Sequence, residues 1–248
     1  MNNIEWIFKR PIAHRGLHDA SRGVVENSLS AARAAITHNY GIECDVQLTT
    51  DGEVVVFHDF ALERLTGIQG HVFAYNVKDL CSLDLLNTTD KIPTLEEFIN
   101  QIAGRVPLII EIKSRFDGNL CLTQRVAEIV SKIPQNIAIK SFDPACIEEL
   151  KHIAPHIPRG IVGMKSYECD EFAHLDDCHK FGLSNLLLLN EALPNFISWN
   201  IEDLAGLKSI MEKLDLKIPV LAWTIRTELK KQMAMRYANQ IIFEGFLP

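Results

Sequence analysis

No apolar run in this sequence approaches the roughly 18–20 residues of a membrane-spanning helix; its longest candidates, such as residues 186–189, are short and core-like. The amino-terminal segment lacks both the basic start and the apolar stretch of a secretory signal. A cytoplasmic protein without stable membrane insertion is the expectation. Six cysteines (Cys44, Cys81, Cys121, Cys146, Cys169 and Cys178) include no C-x-x-C pair, which argues against a structural zinc site. In a chain that is neither small nor secreted they read as reduced, mostly buried thiols. Positive charge is also scarce: 25 basic residues stand against 32 acidic ones, a net charge of −7, which disfavours nucleic-acid partners. Low-complexity segments, charge blocks and Pro/Gly/Ser-rich linkers are absent, which argues against two independent domains. What is present is 248 residues, 47% hydrophobic, with a mean hydropathy of +0.05. That is an ordinary globular composition, long enough for a full core.

Short apolar runs with β character alternate with helical patterns along the whole chain. The β-like runs cover residues 11–15, 41–48, 107–113, 136–141, 159–162, 195–199, 218–224 and 240–243. Helical stretches include 28–39, 94–102, 120–132, 144–153 and 227–237. Many of the runs are almost continuously apolar, as strands are when helices cover one face and a packed interior the other. Eight alternations in 248 residues predict a single (β/α)8 TIM barrel. Residues 183–189 leave room for one further strand.

Several of these strands carry ionisable groups where a core would have none. The first ends in His14-Arg15-Gly16. The second reads Glu43-Cys44-Asp45, two carboxylates on one face. The third reads Glu111-Ile112-Lys113, the fourth ends in Ser141, and the seventh ends in Trp223-Thr224. Chemistry in a (β/α)8 barrel gathers at the carboxyl ends of strands, where these residues fall. Asp51-Gly52 favours a two-residue hairpin turn after the second strand. With Thr50 facing Glu53, His58 falls opposite Asp45, which would bring an imidazole beside the acidic pair.

Glu43, Asp45 and Glu111 crowded on one rim would repel one another. A bound cation resolves that, and all-oxygen ligands favour Mg²⁺, Ca²⁺ or Mn²⁺ over zinc. Arg15 and Lys113 suit phosphate oxygens, and His14 and His58 can exchange protons near neutral pH. The set fits a phosphodiester better than a carboxylate substrate.

At these residues the sequence resembles the glycerophosphodiester phosphodiesterase family. The matching motifs are His14-Arg15-Gly16, Glu26-Asn27, Glu43-x-Asp45-Val46, Thr50-Asp51-Gly52 and His58-Asp59. They continue with Pro93-Thr94-Leu95-Glu96-Glu97, Glu111-Ile112-Lys113, Ser141-Phe142 and Trp223-Thr224. They cover almost the whole chain in order. The resemblance implies a TIM barrel with a small insertion after the second strand, here residues 60–92. It implies His14 and His58 as the general acid–base pair, and Glu43, Asp45 and Glu111 as divalent-metal ligands. Arg15 and Lys113 would contact phosphate and substrate, and Trp223 would form an aromatic wall. The implied reaction cleaves a small-molecule glycerophosphodiester to glycerol 3-phosphate and an alcohol. Attack by the neighbouring glycerol hydroxyl or by water activated on the metal is compatible with it.

The chain departs from the family pattern in two places. Val25 stands where proline is common before Glu-Asn, which alters loop stiffness. The last strand continues as Phe243-Glu244-Gly245-Phe246 instead of Thr-Asp-x-Pro, which bears on substrate preference. Residues 164–180 match nothing in the family pattern. Each site residue also has a plainer reading. Asn27 could cap the following helix, Lys113 could simply pair with Glu111, and Trp223 could be core. The histidines other than His14 and His58 read as surface or packing residues, and Trp6-Ile7-Phe8 as a lid on the closed end of the barrel. The same site would also suit a lysophospholipid or another bulky phosphodiester, or binding of glycerol phosphate without turnover. The chain is expected to be a monomer or small homo-oligomer.

Overall fold

The computed structural model describes residues 4–189 and 192–248, so the first three residues of the amino-terminal segment lie outside it. Eight parallel strands close into a barrel: β1 (Ile12–Ala13), β2 (Gly41–Leu48), β4 (Leu108–Ile112), β5 (Ile137–Ser141), β6 (Arg159–Gly163), β7 (Phe196–Asn200), β8 (Val220–Ile225) and β9 (Gln240–Phe243). Closure comes from β1, which pairs with both β2 and β9. These are the eight runs expected from the sequence. Residues 183–189 add no strand, since α7 (Asp177–Ser184) ends in a turn there. No helix among the described residues is long and apolar enough to cross a membrane.

Helices α1 (Leu29–Thr37), α4 (Leu95–Ile102), α5 (Cys121–Ser131), α6 (Pro144–Ile153), α8 (Leu204–Lys213) and α9 (Glu228–Ala234) complete the outer layer with α7. Local chemistry fixes where they start. Thr94 and Glu97 form a reciprocal capping box on α4, and Asp143 caps α6 just ahead of Pro144. Asn27 does not cap α1, contrary to one sequence reading; the Ser28 side chain accepts from Ala31 N–H, which frees Asn27 for the site.

Strand periodicity divides each strand between two environments. Ile42, Cys44, Val46, Leu108, Ile110 and Ile139 face outward into the helix-covered core. The alternate residues Ile12, Ile109, Ala138, Phe196, Leu221 and Ile242 fill the lower barrel interior. Ile7, from the amino-terminal turn Glu5–Phe8, plugs that layer from below. Two residues further along the same inward faces come His14, Glu111, Lys140, Ser198, Trp223 and Glu244. The interior is therefore apolar below and charged above, which places the site at the carboxyl ends of the strands.

The hairpin after β2 differs from the expected register. Strand β3 (Val54–Val56) pairs Val46 with Val56 and Leu48 with Val54. Thr49 N–H donates to Glu53 O at 2.9 Å, so residues 50–52 form a three-residue loop in which Gly52 takes φ +82°. Phe57, not His58, is opposite Asp45, its N–H donating to Asp45 O at 2.9 Å. His58 sits just past the strand in a bend held by Gln47, whose Nε2 donates to the carbonyls of Phe57, His58 and Asp59 at 3.0, 3.2 and 2.6 Å. The bend returns His58 to the site that the simple register would have given it.

Residues between β3 and α4 include the short helices α2 (Glu63–Thr66) and α3 (Val77–Leu80). Leu62, Leu65, Val72, Leu80, Leu85 and Ile92 make a separate apolar cluster with Val55 and Phe57. This is the segment expected as an insertion.

Gly16 is demanded by the turn that aims His14 and Arg15. Its φ is +80°, and a Cβ there would lie 2.8 Å from Ala31 Cβ and 2.9 Å from the Ala31 carbonyl carbon. Gly16→Ala combines left-handed strain with overpacking, and we expect a loss of about 2–4 kcal/mol, read from denaturant unfolding.

Candidate active site

A cavity of about 340 Å³ opens at the carboxyl ends of the strands, lined by His14, Arg15, Asp45, His58, Glu111, Lys113, Lys140 and Trp223 among others. At its floor Glu43, Asp45 and Glu111 each offer a carboxylate oxygen, and these atoms lie within 4.8 Å of one another. All three residues are buried. β2 and β4 bring them together, with Asp45 in register with Glu111. Such a set of hard oxygen donors fits a divalent cation of the magnesium or calcium type.

Buried cations lie against these carboxylates. Lys140 Nζ, buried on β5, lies 3.0 Å from Glu43 and 2.8 Å from Glu111. Lys113 Nζ lies 3.4 Å from Glu111, and Arg15 Nε lies 3.4 Å from Asp45. Burial opposes ionisation of Asp45, but His58, Arg15 and Lys113 outweigh it and hold its carboxyl well below the usual range. Burial likewise opposes ionisation of Glu111, and Lys140 and Lys113 overcome it. The two lysines show the mirror effect, burial disfavouring their charge and Glu111 raising their pKa above the ordinary lysine value. Asp45, Glu111 and both lysines are thus charged at neutral pH.

Both site histidines are anchored by carboxylates. His14 Nδ1 lies 2.5 Å from Glu244 Oε2, which turns Nε2 inward to 4.0 Å from Glu43. His58 Nδ1 lies 2.7 Å from Asp59 Oδ1, and its Nε2 lies 3.4 Å from Lys113 Nζ. A carboxylate on Nδ1 fixes the tautomer and leaves Nε2 to take or give a proton.

Arg15 is held in the left-handed region at φ +55°, with its N–H donating to Glu43 at 3.1 Å. Its Nη1 donates to Glu26 at 2.6 Å, while buried Nε makes no hydrogen bond and is ion-paired with Asp45 at 3.4 Å. Burial works against the Glu26 carboxylate, yet the Arg64 and Arg15 guanidiniums pull its pKa down to about 2. Asn27 clamps Asp45, donating to Oδ2 at 3.0 Å and accepting from the Asp45 N–H at 3.2 Å. Lys113 is more than a partner of Glu111, for its Nζ also reaches Glu171 at 2.6 Å. Trp223 donates through Nε1 to Ser198 O at 3.0 Å and meets Phe142 edge-on at 5.7 Å, forming an aromatic side to the cavity.

All eight residues singled out from the sequence therefore converge on one region. Ser141 does not face the cavity. Its hydroxyl donates to Ile112 O at 2.9 Å, and Lys140 is the β5 residue that lines the cavity. Counting by twos from Ala138 would have found it. Glu244, expected to bear on substrate preference, also holds the His14 ring. His18, read as surface or packing, lies 3.8 Å from Glu244. Met164, Cys169, Glu171 and Phe172 line the cavity from the 164–180 stretch, to which no sequence motif assigns a role and whose contribution only tertiary folding reveals.

Glu244→Gln keeps the side-chain length but weakens the charged contact to Nδ1. We expect kcat to fall about 10–100-fold with KM little changed, measured by steady-state kinetics.

Paired, carboxylate-anchored imidazoles over a hard-oxygen floor, with cationic donors aimed at the same cavity, mark the chain as a phosphoric diester hydrolase. A sequence profile of the glycerophosphoryl diester phosphodiesterase family matches residues 14–247, and the chain belongs to that family. A glycerophosphodiester phosphodiesterase of Caldanaerobacter subterraneus subsp. tengcongensis is 32% identical over 168 residues, a stretch covering 64% of this chain and 66% of the relative. The fold is similar to that of an Oleispira antarctica phosphodiesterase solved with the product sn-glycerol-3-phosphate, with TM-score 0.73, 22% identity and 94% and 91% of the two chains covered. It is similar also to a glycerophosphodiester phosphodiesterase of Thermotoga maritima, with TM-score 0.69, 24% identity and coverage of 94% and 92%.

Proposed function

We propose that the chain hydrolyses small glycerophosphodiesters to glycerol 3-phosphate and an alcohol, with His14 and His58 as the acid–base pair. The observation that carries this reading is the pair of imidazoles, each held at Nδ1 by a carboxylate, over the Glu43/Asp45/Glu111 floor. One imidazole accepts the proton of the attacking oxygen, and the other delivers a proton to the departing alkoxide. Arg15 and Lys113 take the phosphate oxygens, and Trp223 bounds the substrate. Glu43, Asp45 and Glu111 hold a divalent cation, Mg²⁺ or Ca²⁺, with Mn²⁺ also compatible. When bound, that cation neutralises phosphate charge as it builds toward the transition state. The Oleispira antarctica structure contains the product that this reading requires. All six cysteines are free, with two buried and three exposed where mostly buried thiols are expected, and free thiols suit a reducing compartment such as the cytoplasm.

An adjoining cavity of about 260 Å³ bears on substrate size. Phe60 and Phe73 bound it on one side, but Lys113, Arg115 and Asp117 line it as well. That mixed lining favours a compact polar leaving group over an acyl chain. The test is a panel of deacylated glycerophosphodiesters and long-chain lysophospholipids, scored by release of glycerol 3-phosphate or lysophosphatidic acid. Faster turnover of the deacylated substrates is expected. Preference for the lysophospholipids would replace the reading, and binding without turnover would remove it.

A further inference from the structure

Lys140 stands out among the charged groups of the barrel because it is the floor's own cation. It lies on the inward face of β5 between Ala138 and Phe142, with only 3% of its side chain exposed. Its Nζ is 3.0 Å from Glu43 Oε1 and 2.8 Å from Glu111 Oε2. The other oxygen of each glutamate has different company. Glu43 Oε2 accepts from Arg15 N–H at 3.1 Å and lies 4.0 Å from His14 Nε2. Glu111 Oε1 lies 3.4 Å from Lys113 Nζ. Each glutamate therefore has one oxygen ion-paired with Lys140, Glu43 Oε1 without a hydrogen bond to it, and one that accepts from Arg15 N–H or Lys113.

We propose that Lys140 sets the metal preference of this site by restricting Glu43 and Glu111 to one ligand oxygen each. Magnesium takes six ligands in a tight octahedron, retains water and binds carboxylates through single oxygens. Calcium takes six to eight ligands and gains from bidentate carboxylates. A lysine fixed between two carboxylates removes the second oxygen that calcium would use, and its charge lowers the affinity for any divalent ion. The site then holds an exchangeable Mg²⁺ or Mn²⁺ in preference to Ca²⁺. The inference rests on the proposed role of Glu43, Asp45 and Glu111 as metal ligands and adds what selects among the ions.

The test uses metal-stripped full-length protein and Lys140→Met, with Mg²⁺ and Ca²⁺ titrated separately by calorimetry and by the shift in Tm. Wild type should bind Mg²⁺ at least several-fold more tightly than Ca²⁺. In Lys140→Met both ions should bind more tightly, and the gain for Ca²⁺ should exceed that for Mg²⁺ about tenfold or more. Without metal the variant should melt lower than wild type and recover more on adding Ca²⁺. An unchanged Mg²⁺-to-Ca²⁺ ratio in the folded variant overturns the role of Lys140 and leaves the metal site standing. A wild type that prefers Ca²⁺ overturns it without reference to any variant, so a failure of Lys140→Met to fold does not shield the inference. Binding of neither ion to wild type would remove both the inference and the metal site on which it rests.

Discussion

Replacing His14 or His58 by alanine should lower kcat about 10²–10⁴-fold, with the fold intact. Each imidazole lies at the end of a short chain of contacts: Glu244 to His14 at 2.5 Å, and Asp59 to His58 at 2.7 Å. Asp59 is in turn tied to Arg64, which also reaches Glu26, so the His58 ring is set by a network spanning the hairpin and the segment after it. Neither histidine belongs to the apolar core, and alanine at either position should leave Tm close to wild type. Because the two act on the same transition state, the double variant should be little worse than the poorer single variant. Glycerol 3-phosphate release at saturating substrate, beside a melting curve, reads both quantities. Full activity in the double variant would end the acid–base assignment.

The second large effect concerns the carboxylate floor, where two similar substitutions should differ in kind. Asp45→Asn removes a proposed metal ligand whose neighbours are Asn27 and Arg15. It should raise the divalent-ion concentration for half-maximal activity about 100-fold or more at modest cost in stability. Glu111→Gln removes the carboxylate shared by Lys113 and Lys140 and leaves each buried ammonium with one carboxylate, Glu171 and Glu43 respectively. It should lose activity as well and also destabilise the fold by about 3–5 kcal/mol. Urea unfolding of both variants distinguishes the cases. Equal stability of Asp45→Asn and Glu111→Gln would mean that the lysines are not held by Glu111 as the distances indicate.

The pattern of what could be read in advance follows the range of the interactions. Barrel strands were legible because the period-two burial pattern and the near-continuous apolar runs are local properties of each segment. The eight site residues were legible because ionisable groups at i and i+2 stand out against apolar strands. The hairpin register was misjudged by one residue because Asp51-Gly52 suits both two- and three-residue loops, and Gln47 settles the bend through three carbonyls that no local signal names. Lys140 escaped notice because the polar Ser141 beside it marked the same strand end. Glu244 escaped because its partner His14 is 230 residues distant. The cavity wall from Met164 to Phe172 has no periodicity to read, and only packing against Phe142 gives it a role.

The most direct test is turnover of a glycerophosphodiester by chelated enzyme as Mg²⁺ is titrated back. The account predicts no glycerol 3-phosphate release in excess chelator, recovery with added Mg²⁺ in wild type, and no recovery at the same concentrations in Asp45→Asn. Undiminished release by fully chelated wild-type enzyme would contradict it.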